Sequence, residues 1–124
     1  MQQNRNQIKM KIQKELFVES GGECSIEKTF LIKENSIIAE IAHIESYSPN
    51  GPRANPNNLK DNSKKNLMLV TPVIHKVIDD KANEENYPKE KLEKLKSDHI
   101  KAIKTKQQKI KKALANDWYL KRED

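Results

Sequence analysis

Two histidines in this chain stand where an imidazole can do chemistry, and His43 is the first. It closes a run of β-branched and apolar residues and is followed by a long polar stretch. A neutral imidazole at the end of a strand can accept a proton near neutral pH, so His43 is a candidate general base. A buried structural role is the alternative for a lone histidine, and the residue by itself leaves both open.

His75 and Asp79 form the second candidate group. They are four residues apart in a segment with helical periodicity, which puts both side chains on one face of a helix. An imidazole and a carboxylate placed in this way can both reach one metal ion. A hydrogen bond or an ion pair on the helix surface is the simpler alternative that the same spacing allows.

Phosphodiester hydrolysis needs a base, a divalent cation and cationic or amide groups that hold the phosphate backbone in line. The charge distribution supplies the third kind of group. Lys and Arg balance Asp and Glu at 12 each in residues 1–87, but number 12 against 6 in residues 88–124, so the net charge of +6 lies in the last segment. Six lysines occur between Lys101 and Lys112 without an acid. They predict a phosphate-attracting surface, with a solvated lysine face as the alternative.

The elements that position these residues can be predicted from the spacing of apolar residues. Residues 6–20 favour a helix that Gly21 and Gly22 end. Residues 28–32 and 36–44 are rich in β-branched and apolar side chains, which predicts two strands, the second ending on His43.

The segment after His43 predicts a loop, a strand and a helix. Residues 46–65 are mostly polar and turn-forming, and a loop of this length is typical of a functional segment. Asn66 to Val70 is predicted as a short strand. Pro72 suits the first turn of a helix whose apolar stripe is formed by Val73, Val77 and Ile78.

The last section predicts one long helix from Lys89 to Lys121. Unbroken, it would extend roughly 50 Å at 1.5 Å per residue, so we expect it to bend, to break near Thr105 or to overhang the domain. His99 shares its apolar stripe and is expected to be a core or capping histidine. Trp118 and Tyr119 are expected to pack on protein.

Composition limits the chain to one compact domain with one extended element. Its 124 residues include a single cysteine, Cys24, which is expected to be a small buried apolar residue. No apolar run approaches the roughly 18 residues that a membrane-spanning helix needs. The polar start lacks the apolar stretch of a secretory signal, and a cytoplasmic location is therefore expected.

Several segments, taken together and in this order, resemble HNH (His-Asn-His) endonucleases of bacterial restriction and anti-phage defence. The resemblance covers residues 16–103. The segments that carry it are Gly21-Gly22-Glu23-Cys24, Ala42-His43-Ile44, Asn50-Gly51-Pro52-Arg53, Asn66-Leu67-Met68-Leu69-Val70, His75-Lys76-Val77-Ile78-Asp79, and Tyr87-Pro88 leading to Leu92, Lys96 and His99.

The resemblance implies a ββα-metal nuclease core. With the helices predicted from spacing, we expect an α+β fold in two parts. Residues 1–87 would form the nuclease core with an N-terminal helix, and residues 88–124 a basic helical extension that packs on the core or on a partner. The resemblance also implies roles for single residues. These are His43 as the general base, Asn66 as the asparagine that braces the motif, His75 as the metal ligand on the helix, Asp79 as a second helix-borne ligand, and Arg53 as a phosphate contact.

Two departures from the family pattern concern metals. Ala42 stands where many relatives have a metal ligand, and Glu40, on the same strand face by alternation, is expected to substitute directly or through water. One divalent cation, Mg²⁺ or Mn²⁺, is expected on His75, Asp79 and Glu40. Cys24 lacks the partner cysteines that hold zinc in many relatives, so no structural zinc is expected.

The expected substrate is DNA, in double-stranded form, with Arg53, Lys76, Lys101 and Lys104 as candidate contacts. Cutting both strands needs two active sites, so a homodimer through residues 90–120 is expected. Two alternatives remain. The chain could be a nucleic-acid-binding module that has lost activity, or an effector controlled by a sensor domain or partner subunit.

Overall fold

A computed structural model of the chain describes residues 7–116 and has an α+β fold with small antiparallel sheets and one long C-terminal helix. The general α+β class predicted from the sequence is therefore confirmed. The elements in chain order are α1 (Met10–Glu19), β1 (Ile32–Lys33), β2 (Ser36–Ile37), β3 (Glu40–His43), β4 (Leu67–Val70), α2 (Pro72–Asp79) and α3 (Lys89–Asn116), with short 3-10 segments at Lys64–Asn66 and Lys81–Asn86.

The first helix ends as its glycines predict. Gly21 and Gly22 have φ angles of +65° and +72°, the left-handed region that a residue with a Cβ rarely adopts. The backbone N–H of Gly22 donates to the carbonyl of Phe17 at 2.9 Å, which closes the last turn. The helix begins at Met10, later than predicted, and the predicted start at Asn6 lies outside the described residues.

The predicted strand over residues 36–44 is divided in two. Its first part, β2, pairs with β1 in a short hairpin, whereas its second part, β3, pairs with β4. The break falls at Ile38 and Ala39, because the two parts have different partners. The strand predicted over residues 28–32 is likewise displaced to Ile32–Lys33, and only an isolated bridge between Glu23 and Phe30 precedes it.

The second helix follows β4 after one residue, Thr71. The Thr71 hydroxyl oxygen accepts the backbone N–H of Ile74 at 3.1 Å, and Pro72 occupies the first turn, where its missing N–H costs nothing. The predicted apolar stripe is partly wrong. Val73 is 68% exposed, and the buried face is formed by Ile74, His75 and Ile78.

The third helix is unbroken past Thr105 and overhangs the domain. It runs from Lys89 to Asn116, about 42 Å at 1.5 Å per residue, and the part predicted beyond Asn116, with Trp118 and Tyr119, lies outside the described residues. Its buried side chains end at Ile103, and every residue from 104 to 116 is exposed. We call residues 104–116 the arm.

The core is assembled from all the longer elements. Its buried apolar residues include Leu16, Cys24, Leu31, Ala42, Ile44, Leu67, Met68, Leu69, Val70, Ile78 and Leu92. Cys24 is fully buried, which confirms its expected role as a small apolar residue. Among the described residues, no helix is both long enough and apolar enough to cross a membrane.

We predict that two apolar residues of α3 contribute very differently to stability. Leu92 is fully buried, so Leu92→Ala should lower the free energy of unfolding by about 2–5 kcal/mol. Ile110 lies on the arm and is 55% exposed, so Ile110→Ala should change it by about 0.5 kcal/mol or less. Urea denaturation of both variants checks this. Equal losses would mean that the arm is packed in solution.

Candidate active site

The register between β3 and β4 fixes the two ends of the candidate site. Glu40 lies opposite Val70, beside the start of α2, and His43 lies opposite Leu67, beside the loop over residues 46–65. Three residues along a strand span about 10 Å. The strand therefore presents Glu40 to the first turn of α2 and His43 to the loop.

His43 is buried and is held by the loop. Its Nε2 lies 2.7 Å from Oδ1 of Asn62, and its ring makes a T-shaped contact with Tyr47, with 5.6 Å between the ring centroids. Because the Asn62 oxygen can only accept, Nε2 is the donor, and in the neutral ring the lone pair is on Nδ1. Asn62 thus selects the tautomer of His43.

The side-chain amide of Asn66 hydrogen-bonds to the backbone at both ends of the loop. Oδ1 accepts the backbone N–H of Glu45 at 2.8 Å, and Nδ2 donates to the carbonyls of Glu45 and Asp61, both at 3.0 Å. The side chain is buried and all three of these bonds go to the backbone. Asn66 therefore fixes the two ends of the loop relative to each other.

Glu45 organises the same loop from inside. Its buried carboxylate accepts hydrogen bonds from Asn58 at 2.8 Å and Asn55 at 3.1 Å, and Lys89 lies 3.3 Å away. The bond from Asn58 lowers the pKa of Glu45 most, burial opposes this effect, and Asn55 and Lys89 lower the pKa further. The loop is thereby fastened both to the end of β3 and to the start of α3.

His75 lies between the two carboxylates that were predicted to share a metal with it. Nδ1 is 2.8 Å from Oε1 of Glu40, and Nε2 is 3.1 Å from Oδ2 of Asp79. Carboxylates only accept, so both ring nitrogens donate only when the imidazole is protonated. Burial raises the pKa of Asp79, but hydrogen bonds and charge from His75 and Arg53 outweigh burial and lower it below its ordinary value.

Arg53, the predicted phosphate contact, has a buried side chain that is only 4% exposed. Nε donates to the carbonyl of Ile44 at 2.6 Å, and Nη1 donates to the carbonyl of Ile78 at 2.8 Å. Nη2 lies 3.0 Å from Oδ1 of Asp79 and 3.3 Å from the carbonyl of His43. Arg53, predicted as a phosphate contact, thus directs these donors to acceptors in the protein and joins the end of β3 to the end of α2.

The three predicted metal ligands do not converge on one point. Within residues 7–116, no group of three or more His, Cys, Asp or Glu side chains is arranged to hold a metal ion. The reason is visible at His75, since Glu40 and Asp79 contact opposite nitrogens of its ring. A single ion could be bound by one ring nitrogen and the carboxylate beside it. It could not be bound by both nitrogens of the same ring at once.

The predicted lysine contacts are all on the surface. Lys76 is exposed on α2, and Lys101 and Lys104 are exposed on α3. At 100° per residue, Lys101 and Lys112 fall opposite the stripe of Leu92 and Ile103 that packs on the core, and Lys104 lies to one side of it. Lys101 and Lys112 therefore face away from the core.

His99 is a structural histidine, as predicted. It is almost fully buried, its Nε2 donates to the carbonyl of Ser20 at 2.9 Å, and its Nδ1 accepts from Lys28 at 3.2 Å. Ser20 is the residue that ends α1, so His99 ties α3 to the end of that helix. This histidine belongs to the packing of the domain and not to the candidate site.

Sequence reasoning missed Asn62 and Glu45. Asn62 lies in a polar loop that contains many amides, and its spacing does not distinguish it from Asn55, Asn57 or Asn58. Contact with His43 arises only when the loop folds back onto the strand. The signal that could have found Glu45 is its place two residues after His43, where an acid enters the core.

Comparisons with known proteins assign no family to this arrangement. A scan against protein-family models found no match, and a search of curated proteins found none either. What the chain does is therefore inferred from the contacts of its own residues.

We predict that Glu45 contributes stability that is lost in acid. Its folded pKa lies below the ordinary value of 4.5, so the contribution is present above that pH and disappears as the pH falls through the lower folded pKa. The difference in free energy of unfolding between the parent and Glu45→Gln should therefore shrink as the pH falls below 4.5. Denaturant unfolding across a pH series measures it.

The matched control is Glu34→Gln, which changes an exposed acid in the turn between β1 and β2. Its difference from the parent should stay small throughout the series. A Glu45→Gln difference that is constant with pH would contradict the role given to the carboxylate.

Proposed function

We propose that this chain is a divalent-metal-dependent nuclease of the HNH type that hydrolyses phosphodiester bonds in DNA. One observation carries the proposal. A single buried guanidinium, that of Arg53, contacts both the backbone of His43 and the carboxylate of Asp79, which is itself bonded to His75. Arg53 thus links the end of the strand that carries the candidate base to the helix that carries the candidate metal ligands.

The local topology supports the finer fold assignment. β3 and β4 form an antiparallel pair, and α2 begins one residue after β4. The three elements carry His43, the loop-closing Asn66 next to β4, and His75, in the order that a ββα-metal core requires. We therefore assign residues 40–79 to such a core, with α1 and α3 packed around it.

In the proposed mechanism, His43 removes a proton from the attacking water. Oδ1 of Asn62 accepts a hydrogen bond from Nε2 of His43, which fixes the tautomer and the orientation of the imidazole that takes the proton from water. Asn66 acts indirectly, because it fixes both ends of the loop that carries Asn62. A base held in one tautomer and one orientation does not have to be reoriented in the transition state.

The residues that would hold the cation are His75 and Asp79. Their facing atoms are 3.1 Å apart, which suits two ligands that each lie about 2.1 Å from a Mg²⁺ or Mn²⁺ ion. The ion would replace the proton on Nε2, neutralise charge on the scissile phosphate and stabilise the leaving oxygen. We prefer this side of His75 to the Glu40 side because Arg53 ties Asp79 to His43.

This choice changes the proposed role of Glu40. Its carboxylate accepts from Nδ1 of His75, the nitrogen that does not face Asp79. A carboxylate in that position orients a metal-binding imidazole and raises its basicity. Glu40 is then a positioning residue for His75, and Ala42 adds no ligand on the same strand. Waters and substrate oxygens would complete the coordination, as is usual for Mg²⁺.

The lysines of α3 supply the substrate-binding charge in this proposal. Lys101 and Lys104 are exposed on α3, and Lys76 is exposed on α2 one residue after His75. Exposed lysines make salt-dependent contacts to the phosphate backbone without reading sequence. Because the side chain of Arg53 is buried, the exposed lysines are the proposed phosphate contacts.

One observation favours a second candidate function. His75 is bonded at both nitrogens and the described residues form no three-ligand cluster, which suits a nucleic-acid-binding module that keeps the fold without cutting. Such a module would bind DNA equally well with or without Mn²⁺ and leave plasmid intact. The nuclease would cut only with the metal.

We predict that His43→Ala lowers the rate of plasmid cleavage by about 10²-fold or more while the protein stays folded, because a positioned base contributes at least that much. Asn62→Ala should lower the rate by a smaller factor, since the imidazole remains but its tautomer is no longer selected. Asn57→Ala changes an exposed amide of the same loop and should cut like the parent. Gel assays of supercoiled plasmid in Mn²⁺ give the rates, and parental activity in His43→Ala would contradict the assignment.

We also predict that the affinity for Mn²⁺ depends on Asp79 and not on the adjacent Asp80. Asp79→Asn should weaken Mn²⁺ binding by about tenfold or more, as should His75→Ala. Asp80→Asn, a matched change at an exposed residue, should leave it unchanged. Calorimetric titration measures the affinities, and thermal unfolding verifies that each variant is folded. Equal affinity in Asp79→Asn and Asp80→Asn would move the ion elsewhere.

A further inference from the structure

One lysine of α3 is buried against the rest of the domain. The side chain of Lys96 is only 11% exposed, and its Nζ donates to the carbonyl of Lys64 at 2.6 Å. A carboxylate oxygen of Glu19 lies 3.9 Å from the same Nζ. Burial lowers the pKa of Lys96 most, the charge of Glu19 opposes this effect, and the charge of Lys64 adds to it. Because burial disfavours the ammonium, packing alone does not account for a lysine at this position.

The carbonyl that Lys96 holds belongs to the segment that orients the candidate base. Asn62, whose side chain contacts His43, lies two residues before Lys64. Asn66, which bonds to both ends of the loop, lies two residues after it. Lys96 therefore binds the chain midway between the two amides on which the position of the loop beside His43 depends.

Residues 61–66 are joined to each other by hydrogen bonds of their own. The backbone N–H and the hydroxyl of Ser63 donate to Oδ1 of Asp61 at 2.9 and 2.6 Å. Nδ2 of Asn66 donates to the carbonyl of Asp61 at 3.0 Å. Asn62 lies inside this bonded segment, so a restraint on one part of the segment also restrains Asn62.

The same helix binds the other end of the loop over residues 46–65. Lys89 lies seven residues before Lys96, about two turns along α3 and on the same side of the helix. Its Nζ is 3.3 Å from the carboxylate of Glu45, which directly precedes the loop. Two lysines of one rigid helix thus set the positions of both ends of the loop.

We propose that Lys96 is a positioning residue for His43. By holding the carbonyl of Lys64, it keeps Asn62 where its amide oxygen fixes one tautomer of the imidazole. The inference rests on the proposed function, because His43 acts as a base only in that reaction. Lys96 acts through the loop, since its amine bonds to the backbone of Lys64.

The variant Lys96→Met separates this role from packing. Methionine keeps a long apolar stem but has no N–H to donate. The carbonyl of Lys64 keeps the backbone N–H of Leu67, and the carboxylate of Glu19 keeps Nζ of Lys64 at 3.6 Å. Both groups that Lys96 contacts therefore retain a partner. We expect the variant to fold, with an unchanged or higher midpoint of urea unfolding.

Nitrogen-15 NMR of the neutral His43 ring in the full chain is the first measurement. In the parent, Nε2 should resonate as a protonated imidazole nitrogen and Nδ1 as an unprotonated one. In Lys96→Met both signals should move toward averaged values, as they should in Asn62→Ala. Lys94→Met is the matched control, since the Lys94 side chain is 76% exposed on the same helix, and it should keep the shifts of the parent.

Cleavage of supercoiled plasmid in Mn²⁺ gives the second readout. Lys96→Met should lower the rate at saturating plasmid by about tenfold, because a misplaced base is less effective. Added to Asn62→Ala, it should cause no further loss, since both changes act on His43 through the same contact. Lys94→Met should cut like the parent.

Parental His43 signals in Lys96→Met would overturn the proposal, as would rate losses that multiply when Lys96→Met and Asn62→Ala are combined. A parent that leaves plasmid intact would instead contradict the nuclease assignment, and the NMR comparison would still test the effect of Lys96 on His43. If Lys96→Met does not fold, Lys96→Gln takes its place in both measurements, because the glutamine amide nitrogen is one bond closer to the backbone than the lysine amine.

Discussion

The buried guanidinium of Arg53 is the interaction on which the candidate site depends. It satisfies the carbonyl of Ile78 in the last turn of α2, where a cation also interacts favourably with the helix dipole, and it reaches the carbonyls that end β3. Asp79 balances its charge at 3.0 Å. Removing one member of such a pair leaves a buried charge uncompensated and costs about 3–5 kcal/mol. The left-handed backbone at Arg53, with φ of +57°, is strain that these bonds offset.

Around this centre, the loop is organised by amides rather than by apolar packing. Asn66 hydrogen-bonds to both ends of the loop, and the Glu45 carboxylate accepts hydrogen bonds from Asn55 and Asn58 within the loop. An amide can donate and accept at once, so a few asparagines satisfy backbone groups that a loop would otherwise leave unpaired. The result is a polar segment with fixed side chains beside His43. Such a segment suits a site that must order water and phosphate.

The sequence predicted the parts of the structure that depend on local periodicity and turn chemistry. The stop after α1, Pro72 in the first turn of α2 and the structural role of His99 all follow from residue type and spacing, and the structure agrees. The site contacts depend on distant segments meeting. Nothing near Arg53 in the chain indicates that its side chain turns inward to meet Asp79, because its acceptors lie 9 to 26 residues away. Val73 is exposed and not part of the buried stripe, because packing against β3 decides which side of α2 is buried.

We propose that the site formed by His43, His75 and Asp79 cuts DNA with a divalent cation. The most direct measurement incubates the unmodified protein with supercoiled plasmid in Mg²⁺, in Mn²⁺ and in either metal with excess EDTA, followed by gel electrophoresis. We expect nicked or linear plasmid with at least one metal and intact plasmid with EDTA. Intact plasmid under every condition, or cutting that EDTA does not prevent, would contradict it.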